Sequence, residues 1–75
     1  MRNLDPTKTG SNIARLRLER LLTQEELAAA TGTSRVSVSK WERGIAAPRM
    51  TTLRRIAQAL ECDVRDFVVT VGEER

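Results

Sequence analysis

The sequence predicts an all-α domain, a compact bundle of five short helices, on three observations. Apolar residues recur at three- and four-residue spacing from Ser11 onward. Capping residues and glycines fall between those runs, where helices start and stop. At 75 residues, the chain has room for one small core near the lower limit of independent stability.

Residues 1–10 carry Asp5, Pro6, Thr7, Thr9 and Gly10 with little to bury, and are expected to form a flexible N-terminal arm. Helix 1 is expected from about Asn12 to Leu21, with Ile13, Leu16, Arg20 and Leu21 on one face and Arg17 in its middle. An arginine within a packing face requires a partner, because an unpaired buried guanidinium is costly. Thr23 and Glu26 have the spacing of a capping box and open helix 2, which Gly32 closes in the left-handed conformation. Ser34 caps helix 3, which runs through Arg43 and stops at Gly44. Two short helices about a three-to-four-residue glycine turn have the geometry of a helix-turn-helix. Pro48 ends the next loop, and Leu53, Ile56, Ala57 and Leu60 give helix 4 its core face. Asp63 is placed to cap a fifth helix bearing Val64, Phe67, Val68 and Val71, although the β-branched run from Val68 to Val71 fits a short strand equally well. The domain is expected over residues 11–71, followed by a tail at 72–75.

Composition removes most function classes. One cysteine, Cys62, forms no internal disulfide, and the absence of histidine removes the usual zinc sets and the usual neutral-pH base. No enzyme, cofactor or metal is expected: the serines have no histidine to activate them, and Asp63 and Asp66 are explained as a cap and a helix-start charge. Cys62 is read as a small buried hydrophobe, with a redox sensor the lesser alternative. No apolar run reaches the ~18 residues of a membrane span and the first residues do not form a signal peptide, so a cytoplasmic protein is expected.

Net charge is +3, but its distribution is uneven. Arg35, Lys40, Arg43, Arg49, Arg54 and Arg55 stand against Glu42 alone between residues 33 and 55, while the rest of the chain is slightly acidic. A basic segment in an otherwise acidic chain suggests a face built for a polyanion, nucleic acid first.

Gln24, Ala28, Gly32, Val38, Trp41, Glu42 and Gly44 stand at the spacing of the phage repressor and Cro-like helix-turn-helix family, also called the XRE family, and the likeness extends over about residues 11–67. The chain therefore resembles a lambda-repressor-like DNA-binding domain. Physical reasons agree at each position. Ala28 must be small where helix 3 crosses helix 2, and Val38 and Trp41, three apart, turn one face of helix 3 to the core. Core packing accounts for Trp41 better than a stacking platform for bases does. The resemblance also gives Arg17 its partner, Glu42, as a semi-buried structural pair.

The sequence departs from the family where Leu21 and Glu61 replace glycines that often close helices 1 and 4. If forced to positive φ, each carries strain on the order of 1 kcal/mol. Arg49 stands where a Ser or Thr cap is common, so helix 4 is expected to lack a side-chain cap and to present a positive charge.

The resemblance implies that helix 3 enters the major groove of double-stranded DNA while helix 2 crosses the backbone. Ser34, Arg35, Val36 and Lys40 are then the base-reading candidates: Arg35 has the planar fork for a guanine edge and Val36 fits a thymine methyl. Thr23, Gln24, Arg43 and Arg49 are the phosphate candidates, with Gln24 helped by the open N-terminus of helix 2. The expected function is a sequence-specific transcriptional regulator, by default a repressor. It would act as a homodimer on a palindromic operator and self-associate through residues 64–71, whose valines exceed what one short helix buries. The same fold serves antitoxins, which bind a toxin protein as well as DNA, and controllers of restriction-modification systems; these are the alternatives.

Overall fold

The computed structural model describes residues 3–71. Four α-helices, α1 (Pro6–Glu19), α2 (Gln24–Thr31), α3 (Arg35–Glu42) and α4 (Met50–Ala59), are followed by a single 3₁₀ turn at Val64–Asp66. A two-residue strand β1 (Asn3–Leu4) pairs antiparallel with β2 (Thr70–Val71), in the register Asn3 to Val71 and Leu4 to Thr70. Around the helix-turn-helix the expected elements appear with their expected caps. Thr23 and Glu26 form the reciprocal capping box, Ser34 accepts from the Ser37 amide, and Gly32 and Gly44 are left-handed at φ 69° and 76°.

Three expectations about the elements are corrected. A fifth helix does not form: Asp63 caps only the 3₁₀ turn, Phe67 leaves helical geometry, and residues 70–71 take the strand alternative because β1 offers them a partner. The bundle has four helices among the described residues. The expected arm is also largely structured. Helix α1 begins at Pro6, not at about Asn12, with Asp5 as N-cap accepting from the Lys8 amide and proline in the first turn, where its missing N–H costs nothing. Met1 and Arg2 of that arm, and the expected tail at 72–75, lie outside the described residues. Finally, helix α1 stops at Glu19, so Arg20 and Leu21 do not join its buried stripe. Both are exposed, and Leu22 turns inward to pack on the core in their place.

The core consists of Ile13 from α1, Leu27 and Ala28 from α2, Val38 and Trp41 from α3, Leu53, Ile56 and Ala57 from α4, and Leu60 and Phe67 beyond it. Trp41 is buried, as expected from its spacing to Val38. Cys62, read as a small buried hydrophobe, packs against the core but is only half-buried; burial and the nearby Asp66 push its thiol pKa up, which disfavours the reactive thiolate.

All four helices close in the same way. A backbone amide just past each helix returns to a carbonyl five residues back: Leu22 to Arg17, Thr33 to Ala28, Ile45 to Lys40 and Cys62 to Ala57. This closure needs a left-handed residue at the pivot. Glycine supplies it in α2 and α3, whereas Leu21 (φ 59°) and Glu61 (φ 56°) supply it in α1 and α4. The two strained pivots are linked, because the Arg20 guanidinium donates to the Glu61 carboxylate (3.0 Å) and to its carbonyl oxygen (3.2 Å).

Leu21 is 89 % exposed, so its side chain contributes no burial to offset the strain. Leu21→Gly is therefore expected to stabilise the domain by about 0.5 kcal/mol, the relieved strain exceeding glycine's extra entropy in the unfolded chain. Denaturant melts check this; a loss of stability would show that the Leu21 side chain makes a favourable contact.

Candidate nucleic-acid interface

Helix α3 is held from behind. Val38 and Trp41 anchor its inner face, while Glu42 at its last position accepts from Arg17 Nε (2.6 Å) and Nη2 (3.0 Å) in a bidentate pair. The two side chains are only 11 % and 7 % exposed. A third Arg17 nitrogen donates to the Leu22 carbonyl at 2.7 Å, so the guanidinium is satisfied where it is buried. The Glu42 hydrogen bond raises the Arg17 pKa above its ordinary value, and the pair loses its cation only in strongly alkaline solution. This is the partner that the arginine in the packing face requires.

On the outward side Arg35, Val36 and Lys40 are exposed, with Val36 57 % accessible. Ser34 is exposed too, but its hydroxyl already accepts from the Ser37 amide and donates to the Ser37 hydroxyl, both at 3.1 Å. A base contact from Ser34 competes with its capping role, whereas Arg35, Val36 and Lys40 are not so engaged.

The four phosphate candidates differ in their local commitments. Thr23 spends its hydroxyl on the Glu26 amide at 3.0 Å. Gln24 donates one amide hydrogen from Nε2 to Glu42 at 2.9 Å, leaving the second hydrogen of that NH₂ to point elsewhere. Arg17, Gln24 and Glu42 thus form one network joining α1, α2 and α3. The resemblance implied the Arg17–Glu42 pair but not the hydrogen bond that orients Gln24. Arg43 is exposed and makes only a long bond, 3.4 Å, to the Ser39 carbonyl. Arg49 precedes α4 with no side-chain capping bond, as expected.

Among the described residues, no acidic side chain lies within ion-pair distance of Arg35, Lys40, Arg43 or Arg49. The basic segment does not act as one unit, however. Arg55 extends from α4 toward the Gly32 turn, where its positive charge complements the C-terminal end of α2. Arg35, Lys40, Arg43 and Arg49 lie on α3 and the connection that follows it. Ile45 and Met50, in and just after that connection, are exposed apolar residues that the charge pattern did not single out.

No helix among the described residues is long and apolar enough to cross a membrane. No group of His, Cys, Asp or Glu among them is arranged to hold a metal ion.

The helix-turn-helix family model HTH_3 matches residues 13–67. An uncharacterized HTH-type transcriptional regulator, y4dJ of Sinorhizobium fredii, is 53 % identical over 64 residues, covering 85 % of this chain and 83 % of the relative. Among solved structures, the restriction-modification controller protein C.AhdI of Aeromonas hydrophila superposes with a TM-score of 0.81 at 32 % identity, over 84 % of this chain and 91 % of its own. The P22 c2 repressor, solved in complex with a synthetic operator, superposes with a TM-score of 0.72 at 30 % identity, over 75 % of this chain and 85 % of that one.

Proposed function

The chain belongs to the helix-turn-helix family HTH_3, and from that premise we propose that it binds a palindromic operator as a homodimer and represses transcription by occupying promoter DNA. It is a DNA-binding transcriptional regulator of the XRE type. The observation that carries the finer reading is the two-sided character of α3. Its inner face is fixed by Val38, Trp41 and the Arg17–Glu42 pair, while Arg35, Val36 and Lys40 project outward without local partners. A rigid helix with a free outer face is what insertion into a major groove requires.

Phosphate contacts come from the flanks of that helix in this reading. The remaining Gln24 amide hydrogen, the open amides at the start of α2, Arg43 and Arg49 hold the duplex, with Thr23 contributing through its backbone position. One short reading helix covers few base pairs, which favours two copies on a symmetric site. The valines at 64–71 remain the proposed contact between copies. Phe67 is withdrawn from that surface because it is buried at home, whereas Val71 is 42 % exposed and Val64, Val68 and Val69 are half-buried. The likeness to a controller protein favours a second reading, in which the same DNA contact regulates the genes of a restriction-modification system.

Selection of binding sites from random duplexes tests both operator and symmetry: half-sites about one helical turn apart, roughly 10 base pairs, are expected, and an asymmetric single site rejects the dimer. On the selected operator, Arg35→Ala is expected to cost about 1–3 kcal/mol and to flatten the preference at one base pair. Arg49→Ala should weaken operator and scrambled duplex alike, and lower the slope of log affinity against log salt by about one per monomer. Equal weakening of both duplexes by Arg35→Ala would exclude α3 as the reading element. A promoter-fused reporter then decides direction, since output that rises with the protein rules out repression.

A further inference from the structure

Gly10 lies in the second turn of α1, before the family-matched residues, and is buried. A glycine inside a helix is less stable than an alanine there, so its presence calls for a spatial reason. A Cβ at Gly10 would stand deep inside contact distance of the Trp41 carbonyl oxygen, 3.0 Å from the Trp41 carbonyl carbon and 3.3 Å from that of Glu42. The α1 backbone therefore lies directly on the backbone of the last turn of α3. There is no flexible side chain at that contact to absorb an added methyl.

A second contact one turn earlier repeats the arrangement. At Gly44, just past α3, a Cβ would meet Thr7 Cα at 3.0 Å and Thr7 Oγ1 at 3.1 Å. Two turns beyond Gly10 on the same stripe, Arg17 takes hold of the Glu42 carboxylate. Helix α1 is thus fitted to the C-terminal end of α3 at Thr7, Gly10 and Arg17 in succession. The Arg17 network also reaches Gln24 at the start of α2.

We infer that Gly10 is a positioning residue for base reading: its missing side chain sets how far the C-terminal end of α3 stands from α1, and so the pitch at which Arg35, Val36 and Lys40 are presented relative to Gln24. The inference rests on the DNA-reading role proposed for α3. Base edges are read by directional bonds that fail when a helix tilts, whereas phosphates along the backbone tolerate such a change. A methyl at Gly10 pushes α3 away at one end and changes its tilt without removing any group that touches DNA. Discrimination should fall more than general affinity does.

The test uses the full chain on two duplexes, the selected operator and a scrambled duplex of equal composition. Gly10→Ala is expected to bind the operator about tenfold more weakly, the size of effect that follows when a single base edge is no longer read, and to stay within about twofold on the scrambled duplex, where phosphates dominate. Ile13→Val, which trims a core side chain of α1 and adds no atom between the helices, serves as a destabilised control and should keep the wild-type ratio. Thr7→Gly removes the side chain that abuts Gly44 and introduces no clash; it should lower the ratio by about threefold, part of the effect of one misread base edge. If Gly10→Ala does not fold, Thr7→Gly decides alone. Wild-type discrimination in every folded variant of the pair overturns the inference, as does a loss in Ile13→Val equal to theirs. Absence of any operator preference in the wild-type chain would instead overturn the reading role of α3.

Discussion

Phe67→Ala is expected to destabilise the domain by about 4 kcal/mol, the range found when a fully buried aromatic side chain is truncated. Phe67 is 0 % exposed and is the largest fully buried side chain. It enters the core from the segment after α4, alongside Ile13, Ile56 and Leu60 in the same cluster. Its carbonyl is also fixed, accepting from Asn12 Nδ2 at 3.1 Å, so the backbone cannot easily collapse into the space left by the ring. Small domains have about 5–15 kcal/mol of total stability, and such a loss should lower the melting temperature by roughly 15–30 °C. Calorimetry or a denaturant melt measures it. A loss under about 1.5 kcal/mol would mean that the post-α4 segment contributes little to the core.

Glu42→Ala is expected to cost about 3 kcal/mol, at the lower end for breaking a buried ion pair by removing one partner. The loss comes less from the missing attraction than from what remains. Arg17 keeps only the Leu22 carbonyl, and the Gln24 amide loses its acceptor. Glu42→Gln, which keeps an acceptor but not the charge, should fall between wild type and alanine. A cost below about 1 kcal/mol for Glu42→Ala, typical of an exposed pair, would show that water reaches the guanidinium in solution.

The helix-turn-helix was legible in the sequence because its boundaries are set locally. Thr23 with Glu26, Gly32, Ser34 and Gly44 each act within a few residues of themselves, and the core spacing of Val38 and Trp41 lies within α3. Elements decided by distant partners were not legible. The run Val68–Val71 fits a helix or a strand until Asn3 and Leu4 are known to lie beside it. Residues 6–10 look like a loop because they lack apolar residues, yet Thr9 and Gly10 are buried through a hydroxyl bonded to backbone and a glycine packed on backbone. Hydrophobic periodicity does not register either kind of burial. Asp5 followed by Pro6 was a readable helix start that this poverty of apolar residues obscured. The end of α1 was placed at Leu21 instead of Glu19, because leucine continues the apolar period, although the resemblance marked Leu21 as standing where a glycine often closes the helix.

At the site, residue types and spacing located the exposed side of α3 but not the engagements around it. The charge in an apolar stripe required some opposite charge, the resemblance named Glu42, and the two side chains meet in a bidentate pair. The Gln24 bond to Glu42 depends on how three helix ends converge, and the seating of Gly10 on Trp41 depends on a crossing between helices, so neither leaves a mark in local pattern. Ser34 showed the opposite problem, one residue suited to two roles, and in the structure its hydroxyl is occupied as a cap.

The clasp between the first turn of α1 and the chain after Phe67 divides the domain into parts of unequal permanence. Thr9 Oγ1 accepts from the Val69 amide (3.0 Å) and donates to the Val69 carbonyl (3.3 Å), which also takes the Asp5 amide (2.6 Å). These bonds span about 60 positions of sequence, so they form only after the intervening helices have gathered, and they open early when the ends fray, next after the β1–β2 pair outside them. Such an opening frees the early turns of α1 while Leu27, Val38, Leu53 and Ile56 stay packed. The domain therefore has a sub-global excursion in which α2 and α3 persist but the brace behind α3 is slack. Amide hydrogens at Val69 and Thr9 should exchange through that excursion, ahead of those in the middle of α4, whose release needs the whole core to unfold.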